Sequence, residues 1–140
     1  MRLHPADARS RFQVAAVARL ATVKKSGVPH LVPVTFALAD DVICWVVDHK
    51  PKSHNDLQRL RNITAHPEVS FLADHYDENW AALWWARADG TARLLETPDP
   101  TWITLLANKY PQYRETPPTG PMVLTDVARW SGWAASPTQV

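Results

Sequence analysis

The sequence predicts a mainly β fold, an antiparallel barrel, closed or partly closed, with helices flanking it. Two observations carry this. Runs rich in β-branched and aromatic residues outnumber helical ones, and the first two are joined by "KKSG", a glycine-containing connection of hairpin length. The order along the chain is helix, three strands, helix, two strands, helix, strand, which lacks the regular alternation of a wound parallel sheet.

Residues 5 to 14, "PADARSRFQV", open with Pro5 and an acidic residue, as a short leading helix does. Residues 17 to 38, "VARLATVKKSGVPHLVPVTFAL", form the hairpin, and "DVICWVVD" (41 to 48) supplies a third strand after the polar "AD" turn. Pro51 disfavours helix at Lys50, and Ser53 with Asp56 resembles a capping box, so a helix spans about residues 53 to 65. Leu57, Leu60 and Ile63 give it an apolar side. "EVSFLADHY" and "AALWWARADGTARLLE" read as two strands around the turn "DENW". "PDPTWITLLANKY" reads as a helix started by Asp99 or Thr101, "ETPPTG" as a loop, and "GPMVLTDVARWSGW" as the last strand.

At 140 residues the chain fits a single domain, 1–140, that buries a core without disulfides or structural metal. Its 15 Lys and Arg face 14 Asp and Glu, so no broad basic field invites nucleic acid as a partner. No apolar run approaches the roughly 18 residues of a membrane span. "MRLHPADARSRF" lacks the apolar run of a signal peptide, and Cys44 has no second cysteine to pair with, so the expected compartment is the cytoplasm.

Against this even balance, "DHKPKSHNDLQRLRN" (48 to 62) concentrates Lys50, Lys52, Arg59 and Arg61. A solvated surface is the bland explanation of such a cluster. The sharper one is a phosphate clamp. Lys50 and Lys52 precede a helix N-terminus, which already favours anions, and Arg59 and Asn62, three apart, can reach a common ligand. Each charge-assisted hydrogen bond contributes roughly 1.5–3 kcal/mol, so several together can anchor a phosphorylated cofactor. Neither a P-loop nor a GxGxxG fingerprint is present.

The ordered set "RLATVKKSGVPHLVPVTF", "HKPK", "LQRLRNITAHPEVSFLADHY" and "LWWARADGTA" resembles the FMN-binding split-barrel superfamily over about residues 10 to 133. Within it, the chain is most similar to the deazaflavin-dependent enzymes related to pyridoxamine phosphate oxidase. The resemblance implies a six-stranded split barrel, a homodimer, and a flavin or deazaflavin in a groove between subunits. It implies that Arg59 and Asn62 hold the cofactor phosphate, with Lys50, Pro51 and Lys52 in the preceding loop. It also implies that Val32, Pro33 and Val34 lie along the ring system; Pro33 removes a ladder donor, which suits an edge strand. The implied activity is hydride transfer between coenzyme F420, or alternatively FMN, and a small conjugated substrate, with solvent, Tyr76 or His75 as proton donor. A non-catalytic flavin, deazaflavin or tetrapyrrole carrier is the alternative from another class. One feature departs from the true pyridoxamine phosphate oxidases: the segment "RWSGWAASPTQV" replaces their Arg-rich substrate motif, which argues against pyridoxamine phosphate as substrate.

The remaining conspicuous residues have plainer readings. Most of the seven Trp are expected in packing, with adjacent Trp84 and Trp85 on opposite faces of a strand. The six His show no paired ligand spacing, so no catalytic metal is expected, although His30, His49 and His75 remain available to line a pocket. Cys44, in an apolar strand, is expected in the core.

Overall fold

The structure is a computed structural model that describes residues 1–47 and 54–136. Pro5 opens α1 (Pro5–Gln13), and the His4 ring caps it by accepting from the Ala6 N–H at 3.3 Å. The hairpin follows, with β1 (Ala18–Val23) paired to β2 (Pro29–Val34) from Ala18 opposite Val34 to Val23 opposite Pro29. Its turn places Gly27 at φ 92°, in the left-handed region that glycine enters without steric cost.

The second strand of the sequence reading does not run on to Leu38. It breaks at Thr35 and Phe36, and β3 (Ala37–Ala39) pairs with β4 (Val42–Val46) instead of β1. After α2 (His54–Ala65) come β5 (Glu68–His75), a single 3₁₀ turn at Trp80–Ala82, β6 (Trp84–Leu95), α3 (Pro100–Lys109), a short α4 (Pro111–Glu115) and β7 (Met122–Ala134). The strand order is β2-β1-β5-β6-β7-β4-β3, and every pairing is antiparallel. The two outermost strands, β2 and β3, are thus consecutive in the chain, joined by only Thr35 and Phe36. One bent strand therefore lies at both ends of the sheet and brings them round into a barrel. Counted as one, β2 and β3 leave six strands.

The barrel is filled by Leu20, Phe36, Ile43, Trp45, Phe71 and Val123, each at most 1 % exposed. From α1, Phe12 enters this core and meets Phe36 at 4.7 Å and Phe71 at 6.3 Å between ring centroids. Neighbouring residues of β4 face opposite ways, so Ile43 and Trp45 belong to the barrel core while Cys44 and Val46 pack with Leu106 of α3. Both faces of β4 are covered, which is why "VICWV" is apolar throughout rather than alternating. Burial pushes the Cys44 thiol up to about 12, with the Asp99 carboxylate adding to the shift. Between Asp89 and Gly90 the register of β6 against β7 shifts, and a Cβ at Gly90 would run into the carbonyl oxygen of Asp126.

Candidate functional site

Beside the strand break lies a pocket of about 260 Å³, built from four elements. Pro33 and Val34 come from the end of β2, Thr35 from the break, Trp45 from β4, Arg59 from α2 and Tyr113 from α4. Among the described residues β2 pairs with β1 alone, which places Pro33 on an outermost strand, where a missing N–H is tolerated.

The Arg59 guanidinium lies 4.9 Å from the centroid of the Trp45 ring. That ring is itself 1 % exposed, so it forms a fixed floor under a cation. Arg59 thus brings a positive charge to the pocket lining in a chain whose charges nearly balance. Tyr113 closes another side, its hydroxyl 3.0 Å from the Thr35 hydroxyl. The neighbouring Tyr110 holds the break from behind: its hydroxyl donates to the Ala16 carbonyl at 2.8 Å and accepts from the Phe36 N–H at 3.2 Å. Burial raises the Tyr110 phenol, partly offset by its hydrogen bond to Phe36. Next to it the Lys109 ammonium rests 3.6 Å from the centroid of the Phe36 ring, and burial lowers it to about 8.

Of the expected cofactor residues, Pro33, Val34 and Arg59 meet in this pocket. Val32 does not line it: it packs against the barrel core on the same face of β2 as Val34, but two residues further from the break. Asn62 is also turned elsewhere. It is fully buried, its side-chain nitrogen donates to the Thr22 hydroxyl at 2.9 Å, and its oxygen accepts from the Gln58 amide. A buried amide needs such partners, and β1 supplies one of them on the flank of α2 away from Arg59. Lys50, Pro51 and Lys52 lie outside the described residues, as does His49. His75 and Tyr76 line a separate open groove with Trp84, Trp85 and Trp133, where the His75 and Trp84 rings stack at 6.2 Å. Thr35, Trp45 and Tyr113 escape a sequence reading, since they come from elements far apart along the chain. Among the described residues no group of three His, Cys, Asp or Glu side chains gathers as a metal would require, and no helix is long and apolar enough to cross a membrane.

An antiparallel barrel closed by one bent strand, with a basic pocket at the bend, defines a class of ligand-binding split barrels. The pyridoxamine 5'-phosphate oxidase family matches residues 5–134, and the chain belongs to it. No curated protein matches the sequence. Among solved structures, a conserved hypothetical protein from Mycobacterium tuberculosis is similar with a TM-score of 0.73 at 20% identity, covering 95% of this chain and 86% of that one. An FAD-binding protein from Mesorhizobium loti has a TM-score of 0.68 at 19% identity, covering 94% of this chain and 95% of its own. The heme storage protein of Vibrio cholerae has a TM-score of 0.68 at 17% identity, covering 96% and 95%. At these identities the likeness is one of fold.

Proposed function

We propose that the chain is a cytoplasmic oxidoreductase that binds the deazaflavin coenzyme F420, with FMN as the alternative, and reduces a small conjugated substrate. The observation that carries this reading is Arg59, held over the Trp45 ring in a pocket walled by Pro33 and Val34 at the end of β2. Such a site suits an anionic, flat ligand: Arg59 takes the phosphate, and Val34 with Trp45 offers apolar surface to a ring. When bound, the cofactor supplies a hydride. The protein's part is to hold the anionic tail, fix the ring and keep water out, with Lys50, Pro51 and Lys52 proposed to extend the clamp and Asn62 to support it by fixing α2 against β1.

The pocket in one chain is smaller than the roughly 300–1,000 Å³ typical of ligand sites. We therefore propose a homodimer that completes it. The outward face of the sheet supports this, since it leaves Leu31 68%, Leu72 36% and Trp133 37% exposed.

A non-catalytic carrier of a flavin, deazaflavin or tetrapyrrole is the second reading, favoured by the likeness to the heme storage protein. The two separate in one experiment. Purified protein is mixed with reduced F420 and a panel of enones and quinones, and cofactor absorbance is followed. Substrate-dependent oxidation supports the enzyme; saturable binding without oxidation supports the carrier.

A further inference from the structure

We infer that the chain carries a second binding site, on the outward face of β6 and β7, and that it takes a flat aromatic ring bearing an oxyanion, a carboxylate or a phosphate. The inference does not depend on the cofactor reading above, because the Arg59 pocket and this one have no lining residue in common.

The site follows from the ladder. Residues opposite each other in an antiparallel pair share a face, and along each strand the faces alternate. β6 and β7 pair Trp85 with Trp133, Arg87 with Ser131 and Asp89 with Arg129, so these side chains stand together on one side of the sheet. The intervening Ala86, Ala88 and Ala134 are buried in the core on the other side. Along the second edge of β7 the N-terminal segment adds Arg2, bridged to Trp133, while the next residue, Leu3, turns into the core. Here lies a pocket of about 520 Å³, within the roughly 300–1,000 Å³ of ligand sites. Arg2, Trp85, Arg87, Arg129, Ser131 and Trp133 line it.

Three features say what it takes. The first is charge. Asp89 answers one guanidinium: one carboxylate oxygen accepts from Arg87 Nε at 3.2 Å, and the other from the Ser70 hydroxyl at 2.6 Å. Arg2 and Arg129 add two more positive charges to the lining, in a chain whose net charge is only +1. The second is the Ser131 hydroxyl, which is buried and makes no hydrogen bond among the described residues. A buried hydroxyl is ordinarily satisfied, and its place opposite Arg87 lets the two share one oxyanion. The third is the pair of indoles. The Arg87 guanidinium lies 5.8 Å from the centroid of the Trp85 ring, which holds the fork beside an aromatic surface. An inorganic anion leaves the two Trp unused, and a purely apolar ligand buries guanidinium groups without giving them a partner. A ring that carries an oxyanion uses both.

The test uses the full chain and titration calorimetry at moderate salt. The probes are naphthoate, naphthyl phosphate, the neutral naphthalenemethanol and inorganic phosphate. The variants are Arg129→Gln, at an exposed position, Ser131→Ala, and Arg59→Ala as the control in the other pocket. Saturable binding of naphthoate or naphthyl phosphate is expected, and the tighter of the two identifies the oxyanion. Arg129→Gln is expected to weaken it by about ten- to a hundredfold, Ser131→Ala by about two- to tenfold, and Arg59→Ala to leave it within about twofold. The alcohol and inorganic phosphate are each expected to bind at least about tenfold more weakly. Equal binding of either overturns the inference, as does an Arg59→Ala loss that matches that of Arg129→Gln. Because the proposed homodimer also uses Trp133, sedimentation is run on the same samples. A parent that binds no probe up to about 5 mM overturns the inference, and if Arg129→Gln then turns a dimer into a monomer, a second copy is what fills the pocket.

Discussion

Arg59→Ala separates the clamp from a solvated basic surface. Its roles toward ligand and toward protein appear in different measurements. Toward a phosphate, the guanidinium offers a charge-assisted hydrogen bond worth roughly 1.5–3 kcal/mol, so cofactor affinity falls by about ten- to a hundredfold. Toward the protein, it stacks at 4.9 Å on Trp45, a half-buried cation–π contact worth about 0.5–1 kcal/mol of folding stability. Arg59→Lys keeps the charge and loses the planar fork, and an intermediate affinity is expected. The control is Lys25→Ala, which removes one exposed charge from the hairpin turn. Lys109 is no neutral control, since its ammonium packs on Phe36. Affinities come from equilibrium titration at moderate salt and stabilities from urea unfolding. Equal cofactor affinity in Arg59→Ala, Lys25→Ala and the parent refutes the clamp and leaves the cluster a solubility role.

Other substitutions probe the frame. Asn62→Ala strips the partner from Thr22 in the buried seam between α2 and β1 and is expected to cost about 1–3 kcal/mol in urea unfolding, with F420 affinity within about threefold; an affinity loss matching Arg59→Ala shows that Asn62 touches the cofactor. Gly90→Ala drives a methyl group into the Asp126 carbonyl, and a loss of about 1–3 kcal/mol is expected in the same assay. Burial lowers the folded-state Lys109 to about 8 from its ordinary 10.5, so between these values the unfolded chain binds more protons and stability rises with pH. Unfolding at pH 8 and pH 10 is expected to show that rise in the parent relative to Lys109→Met; a fall means that attraction to the Phe36 ring outweighs desolvation.

The barrel is legible in the sequence because hairpin chemistry and β-rich runs act locally. The strand break is not: Val34, Thr35 and Phe36 are all good strand formers, and the chain bends there because the sheet must close, a constraint that involves β1 and β4 together. Arg59 is legible because an isolated concentration of charge stands out in a balanced chain. Asn62 illustrates the limit of helical spacing, which places it near Arg59 without deciding which flank is buried. The hydrogen bond to Thr22 decides that, and Thr22 lies on a strand the spacing does not mention. Tyr113 is illegible for the same kind of reason, since its place depends on how α4 packs over the break.

The most direct measurement is a side-by-side equilibrium titration of the purified protein with F420 and with FMN at moderate salt. On the proposed assignment an extended anionic tail meets Lys50 and Lys52 as well as Arg59, so saturable binding of both with tighter binding of F420 is the expected result. Equal or tighter binding of FMN contradicts the coenzyme assignment, and no saturable binding of either contradicts the site itself.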